Sequence, residues 1–217
     1  MKVSTEACIL GAWVPDLRPT RILDIGTGTG LLSLMLAQRM DAPIDAVELD
    51  GHASEQAQQN VSESLWANRI KVINENIFNH AKTIDQTYDL IISNPPFFTN
   101  SLKSGIDNKN LAKHDTSDFD KTNLALVLKD LLSEEGRAFI LYPELETKQF
   151  KLEAEKAGLF CLPALIIRNQ PNGPVFRVIS RITKYQEAIE ADELNIREGR
   201  IYSMAFNKLM RTYYLKY

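Results

Sequence analysis

Apolar residues along this chain fall into two alternating rhythms. Short β-branched runs that stop at a turn residue predict buried strands at 21–26 (RILDIG), 44–50 (IDAVELD), 70–74 (IKVIN), 88–93 (YDLIIS) and 137–142 (RAFILY). Helical patterns lie between them, at 31–40, at the polar stretch 52–66, at 121–132 and at 146–157. The segments 161–169 and 174–184 flank Gln170-Pro171-Asn172-Gly173. Asn-Gly between two apolar runs is a strong turn signal, so this pair predicts an antiparallel hairpin. Strands alternating with helices predict an α/β fold with a mainly parallel sheet, and the hairpin adds one antiparallel strand. The longest stretch without a pattern is 99–120, and residues 200–217 form an aromatic and basic, helix-like tail.

Composition narrows the class. The 217 residues suit one domain, and 44% hydrophobic with 24% charged residues is ordinary for a globular chain. That excludes disordered, collagen-like and disulfide-scaffold proteins. No run approaches the roughly 20 uncharged apolar residues of a membrane span, and Glu6 interrupts the short apolar run near the N-terminus. Cys8 and Cys161 stand in no paired spacing, which argues against a zinc site and fits a reducing, cytoplasmic compartment. The net charge of -3 means that any nucleic-acid site must be a local basic patch.

Three features carry chemistry. The first is Asp24-Ile25-Gly26-Thr27-Gly28-Thr29-Gly30, between a strand and a helix. Its glycines permit a tight turn and close approach of a ligand to the amides. Leu31 replaces the last glycine of the dinucleotide fingerprint, so no pyrophosphate cradle is indicated. The second is Glu48, which ends the second strand, 22 positions after Gly26. An acid there can take two ribose hydroxyls, whereas the ordinary reading makes Glu48 and Asp50 helix caps; beside the glycine loop the ribose reading is preferred. Asn76-Ile77 follows the third strand, where Asn76 is either a reader of an adenine amino group or a plain loop residue.

The third and strongest feature is Ser93-Asn94-Pro95-Pro96-Phe97-Phe98, at the carboxyl end of the fourth strand. Two prolines fix the backbone and remove two donors, leaving the carbonyls available. Asn94 adds a side-chain acceptor and Phe97 an apolar face. Together they suit a planar ring with an exocyclic amine. Phe98 either packs in the core or lines the base pocket.

In this order and spacing, DIGTGTG, Glu48 and NPPF resemble the class I S-adenosylmethionine-dependent methyltransferases that act on amino groups. MKVSTEACILGAWV, LLSLMLAQR, IDAVELD, DLIISNPPFF and the late tail resemble more closely the bacterial tRNA1(Val) adenine-37 N6-methyltransferases, over most of the chain. The resemblance implies a doubly wound, mostly parallel seven-stranded sheet with one antiparallel strand, in a single domain over 1–217. It implies S-adenosylmethionine as cofactor and a tRNA adenine as substrate. The family usually carries some tens of residues ahead of the position of Met1, with a Phe-rich strand and turn, so either the start lies upstream or the protein is shortened. The chain departs from the family at VSTEA, where relatives often read VGTDG, and at Asn76, where many carry an acid that binds the cofactor's adenine.

The candidate site is then as follows. Asn94, Pro95, Pro96 and Phe97 are the catalytic candidates. Asp24, Gly26, Gly28, Gly30, Glu48, Asn76, Ile77 and Asn94 are assigned to the cofactor. Phe98, Lys113, His114, Arg200, Lys208 and Arg211 are assigned to RNA, with 99–120 as the substrate-facing loop. His114 is equally well a surface residue. The aromatics of the tail are expected in the core. A monomer without metal or membrane association is expected. The alternatives are a guanine-N2 rRNA or release-factor glutamine methyltransferase, or a non-catalytic RNA-binding module on the same fold.

Overall fold

The computed structural model describes residues 4–96 and 120–214. The chain opens with α1 (Thr5–Trp13), capped by the Ser4 hydroxyl, which accepts from the Ala7 amide. Then strands and helices alternate: β1 (Ile22–Ile25), α2 (Leu31–Ala37), β2 (Ile44–Glu48), α3 (Gly51–Ser62), β3 (Ile70–Asn74), α4 (Ile77–Thr83) and β4 (Tyr88–Ser93). After the gap in the described residues come α5 (Lys121–Leu131), β5 (Leu132–Tyr142), α6 (Glu144–Lys156), β6 (Phe160–Arg168) and β7 (Val175–Thr183). The chain closes with the short strands β8 (Asp192–Asn195), β9 (Arg197–Glu198) and β10 (Ile201–Tyr202), and with α7 (Met204–Met210).

The sheet order is β3-β2-β1-β4-β5-β7-β6-β8. Strand β7 runs against both its neighbours, and β6 is parallel to β8. The predicted doubly wound α/β architecture with one antiparallel strand is therefore present, with one strand more than seven. The addition is β8, four mostly polar residues on the sheet edge. Strands β1, β2 and β4 read as continuous apolar runs because helices cover both faces. One core packs α1, α2 and α7 against the sheet around Ile9, Leu36, Leu90, Phe139, Ile179 and Phe206. The other packs α4, α5 and α6 around Leu23, Ile91, Leu128, Ile140 and Phe150.

The tail is less helical than its sequence suggests, since Ile201-Tyr202 pair with β9 and the helix spans only Met204–Met210. Its aromatics do join the core: Phe206 is buried, Tyr202 stacks on it at 4.6 Å, and Tyr213 and Tyr214 pack alongside.

After β1 the chain winds outward to β2 and β3, then returns to place β4 on the other side of β1. This reversal makes the crevice at the carboxyl ends of β1 and β4, where open α/β sheets bind ligands.

Candidate active site

Ile25 and Ser93 are register partners, so the glycine loop and Asn94 leave adjacent parallel strands at the same level. The Ser93 hydroxyl donates to the Ile25 carbonyl at 2.8 Å and ties the two exits together. Asn94 is half-buried, Pro95 buried and Pro96 exposed. Phe97, Phe98, Lys113 and His114 lie outside the described residues, as does nearly all of 99–120.

Gly26, Gly28 and Gly30 have φ of 69°, 60° and 83°, the left-handed region that favours glycine. The Gly26 and Thr27 amides both donate to the Val47 carbonyl, at 2.9 and 3.1 Å. A Cβ placed on Gly26 would meet no atom within 4 Å, so the space there is open and conformation alone demands glycine. From α3, the Asn60 side-chain amide donates to the Thr29 carbonyl at 2.9 Å and braces the loop.

Asp24 lies fully buried in β1, under this loop. Its Oδ2 accepts three hydrogen bonds, from the hydroxyls of Thr27 at 2.6 Å and Ser33 at 2.7 Å and from the Ser33 amide at 3.1 Å. Its Oδ1 has no hydrogen-bond partner among the described residues. Burial pushes the carboxyl up to about 6 despite those donors, and the negative charge of Glu48 adds to the shift.

The two acids after β2 separate cleanly. Asp50 caps α3, its Oδ1 accepting from the Ala53 amide at 2.8 Å. Glu48 turns the other way. Its Oε2 accepts from the Gly28 amide at 2.8 Å and its Oε1 from the Asp50 amide at 2.9 Å. These contacts orient the carboxylate beside the glycine loop, and each oxygen keeps acceptor capacity. Asn76 caps α4, with Oδ1 accepting from the Phe78 amide at 2.9 Å, and Ile77 is buried behind it. Arg200, Lys208 and Arg211 are exposed, Arg200 in the β9–β10 turn and the other two on α7 and at its end.

Sequence reasoning missed the supporting roles of Ser93, Thr27 and Ser33. Ser33 had a weak signal, as the polar interruption of the apolar run LLSLML.

The methyltransferase small domain family model matches residues 7–131. The tRNA1(Val) (adenine(37)-N6)-methyltransferase of Trichodesmium erythraeum is 39% identical, covering 100% of this chain and 92% of the relative. The enzyme of the same name from Pectobacterium carotovorum is 40% identical, over 99% of this chain and 88% of the relative. The chain belongs to the tRNA1(Val) (adenine(37)-N6)-methyltransferase family. Like that family it is an S-adenosylmethionine-dependent methyltransferase. Solved structures support the fold. A predicted O-methyltransferase from Agrobacterium tumefaciens superposes with a TM-score of 0.71 at 17% identity, over 94% of this chain and 95% of that one. A putative RNA methyltransferase from Pyrococcus horikoshii gives 0.57 at 18% identity, over 82% and 81%.

The residues of this methyltransferase fit the cofactor. The open space over Gly26 and the Glu48 carboxylate, oriented by the Gly28 amide, offer backbone and acceptors on one side of the crevice, and the unpartnered Asp24 Oδ1 lies buried beneath the loop. Acceptors suit a ligand that carries ribose hydroxyls, an ammonium and a sulfonium. Among the described residues, no group of three His, Cys, Asp or Glu could hold a metal, and no helix is long and apolar enough to cross a membrane.

Proposed function

We propose that this methyltransferase modifies N6 of adenine 37 in tRNA1(Val), in the cytoplasm. The observation that carries the reading is the pairing of Ile25 with Ser93, which sets Asn94-Pro95-Pro96 beside the glycine loop. The names of the relatives support the choice of adenine and of tRNA.

Bound S-adenosylmethionine supplies an electrophilic methyl group on sulfur. Glu48 holds its ribose hydroxyls, and Gly26, Gly28 and Gly30 let the loop close around it. Asn76 and Ile77 border the adenine end, where Asn76 keeps its amide donor for a ring nitrogen. At the other side of the crevice, the Asn94 side-chain carbonyl and the Pro95 carbonyl accept the two hydrogens of the substrate amine. Its lone pair is delocalised into the ring, and these two acceptors favour the pyramidal nitrogen that attack requires. Phe97 and Phe98 supply the faces against which the base stacks. The reaction is an in-line displacement accelerated by positioning and fixed dipoles, and the proton leaves after the nitrogen has become cationic. Because the target base must leave its stack, the protein also has to hold the neighbouring backbone. Lys113 and His114, in the substrate-facing loop, and Arg200, Lys208 and Arg211 serve that purpose.

The test is incubation with methyl-labelled S-adenosylmethionine and bulk tRNA from a strain lacking the activity, followed by nucleoside analysis. Label in N6-methyladenosine is the expected result. Label in a guanosine derivative, or none in tRNA despite cofactor binding, would contradict the reading.

A further inference from the structure

The sheet is not level at its carboxyl edge. Ser93 pairs with Ile140, Ile140 with Ser180, and Ser180 with Pro163, so these four residues mark one row across the sheet. Strand β6 continues five residues above that row, to Arg168. At the usual strand rise and spacing, Arg168 stands about 15 Å above the Ser93 row and about 14 Å to its side. The tip of the β6–β7 hairpin and the β9–β10 turn therefore form a wall beside the proposed base pocket.

The wall is held by reciprocal bonds. The Gln170 side-chain amide donates to the Gly199 carbonyl at 2.7 Å, and the Gly199 amide donates to Gln170 Oε1 at 3.0 Å. The Arg197 amide donates to the Asn169 carbonyl at 3.1 Å, and an Arg197 guanidinium N–H donates to the Arg200 carbonyl at 3.0 Å. On this frame the Arg197 guanidinium lies 4.4 Å from the centre of the Tyr202 ring, and Phe206 stacks on that ring at 4.6 Å. Two groups so close to one ring must occupy opposite faces. Phe206 is buried, so the guanidinium is the outer layer of a three-layer stack. Arg200 is exposed beside it. Glu198 is the acid within the turn, and Glu193 lies 3.6 Å from Arg168 at the foot of the wall. From Gly199 to the end of the chain there is no acid, while Arg200, Lys208, Arg211 and Lys216 follow.

We propose that Arg197, laid on Tyr202, is a stacking platform for an unstacked nucleobase a few nucleotides from the methylated one, and that Arg200 takes an adjoining phosphate. The inference rests on the RNA reading above and names the part of the wall that receives the strand. A guanidinium plane offers both a flat face and a charge to an unstacked base, which an ammonium cannot match. A phosphate needs only a cation within reach. The two residues should therefore differ in what can replace them.

The experiment measures kcat and KM for tRNA, with cofactor affinity as the check on folding. Arg197→Gln and Arg200→Glu should each raise KM for tRNA about tenfold, with cofactor affinity unchanged. Arg200→Lys should restore KM to within about twofold, whereas Arg197→Lys should not. Lys151→Glu, the same charge reversal as Arg200→Glu but placed on α6, should leave KM unchanged. The slope of log KM against log salt should fall by roughly 0.7–0.9 in Arg200→Glu, as expected for one lost phosphate contact. If Arg197→Lys behaves as wild type, the stacking platform is wrong. If Arg200→Glu keeps the wild-type KM and salt slope, the phosphate contact is wrong. In both cases methylation by the wild type leaves the activity itself standing. A wild type that methylates no RNA would overturn the activity and this inference together.

Discussion

The Ser93 hydroxyl donates to the Ile25 carbonyl at 2.8 Å, joining the last residue of β4 to the last residue of β1. Each is followed directly by a loop assigned to the candidate site, Asn94-Pro95-Pro96 on one side and the glycine loop on the other. Ser93 is fully buried. Ser93→Ala should leave an acceptor less well satisfied, at a cost of about 1–3 kcal/mol. For a chain of this size that corresponds to a fall in Tm of about 2–4 °C per kcal/mol. It should also lower kcat, because the acceptors of Asn94-Pro95 lose their fixed relation to the cofactor. Thermal melts and steady-state rates check both. Unchanged Tm and kcat would show that the bond is idle.

Glu48 and Asp50 are two positions apart and should fail differently. Glu48→Ala removes the carboxylate assigned to the ribose hydroxyls, which should weaken cofactor binding by about 1.5–3 kcal/mol, the usual value of hydrogen bonds to a charged group. Asp50→Ala removes a helix cap and should cost about 1 kcal/mol of stability with cofactor affinity little changed. Calorimetric titration of both variants with S-adenosylmethionine separates them. Equal affinities would refute the ribose assignment.

Asn94→Ala should lower kcat by about 10²–10³, the typical loss on removing one preorganised hydrogen-bonding group from a transition state. Cofactor affinity should stay close to wild type. Single-turnover rates at saturating cofactor are the measurement, and a variant that retained most of its rate would remove Asn94 from the mechanism.

The elements legible in the sequence are those whose burial leaves a pattern. Strands β3 and β4 fall on the predicted residues because IKVIN and YDLIIS are bounded by turn residues. Helix α1 escaped because it is buried from Ala7 to Ala12 and shows no polar face to set a period. Helix α4 spans only seven residues after a capping asparagine, and β8, β9 and β10 are too short to stand out. The glycine loop and NPP were visible as motifs. Glu48 was singled out over Asp50 by its place at the strand end beside the glycine loop, but the partners that hold each acid, the Gly28 and Asp50 amides for Glu48 and the Ala53 amide for Asp50, leave no mark in the sequence. The clamp between Gln170 and Gly199 joins residues 29 apart, with no local signal at either end.

Asp24 should make stability depend on pH. Its carboxyl is pushed by burial up to about 6 from an ordinary 3.8, so the folded protein holds a proton that the unfolded chain releases sooner. Between those values the native state binds more protons, and stability falls as pH rises. The contribution is fully present below pH 4 and lost as pH passes 6, a difference of roughly 3 kcal/mol at 1.36 kcal/mol per pH unit. Other acids titrate in the same range, so the comparison is with Asp24→Asn, which cannot ionise. The wild type should lose stability relative to that variant from pH 4 to pH 6.5 in denaturant melts. A constant difference across that range would mean that Asp24 stays ionised.

The proposed reaction at this site methylates one adenine. The most direct measurement uses two transcripts of tRNA1(Val), one with adenine 37 and one with guanine there, each incubated with methyl-labelled S-adenosylmethionine. Label is expected in the adenine transcript alone, recovered as N6-methyladenosine at position 37. Equal label in both transcripts, or in neither while the cofactor binds, would contradict it.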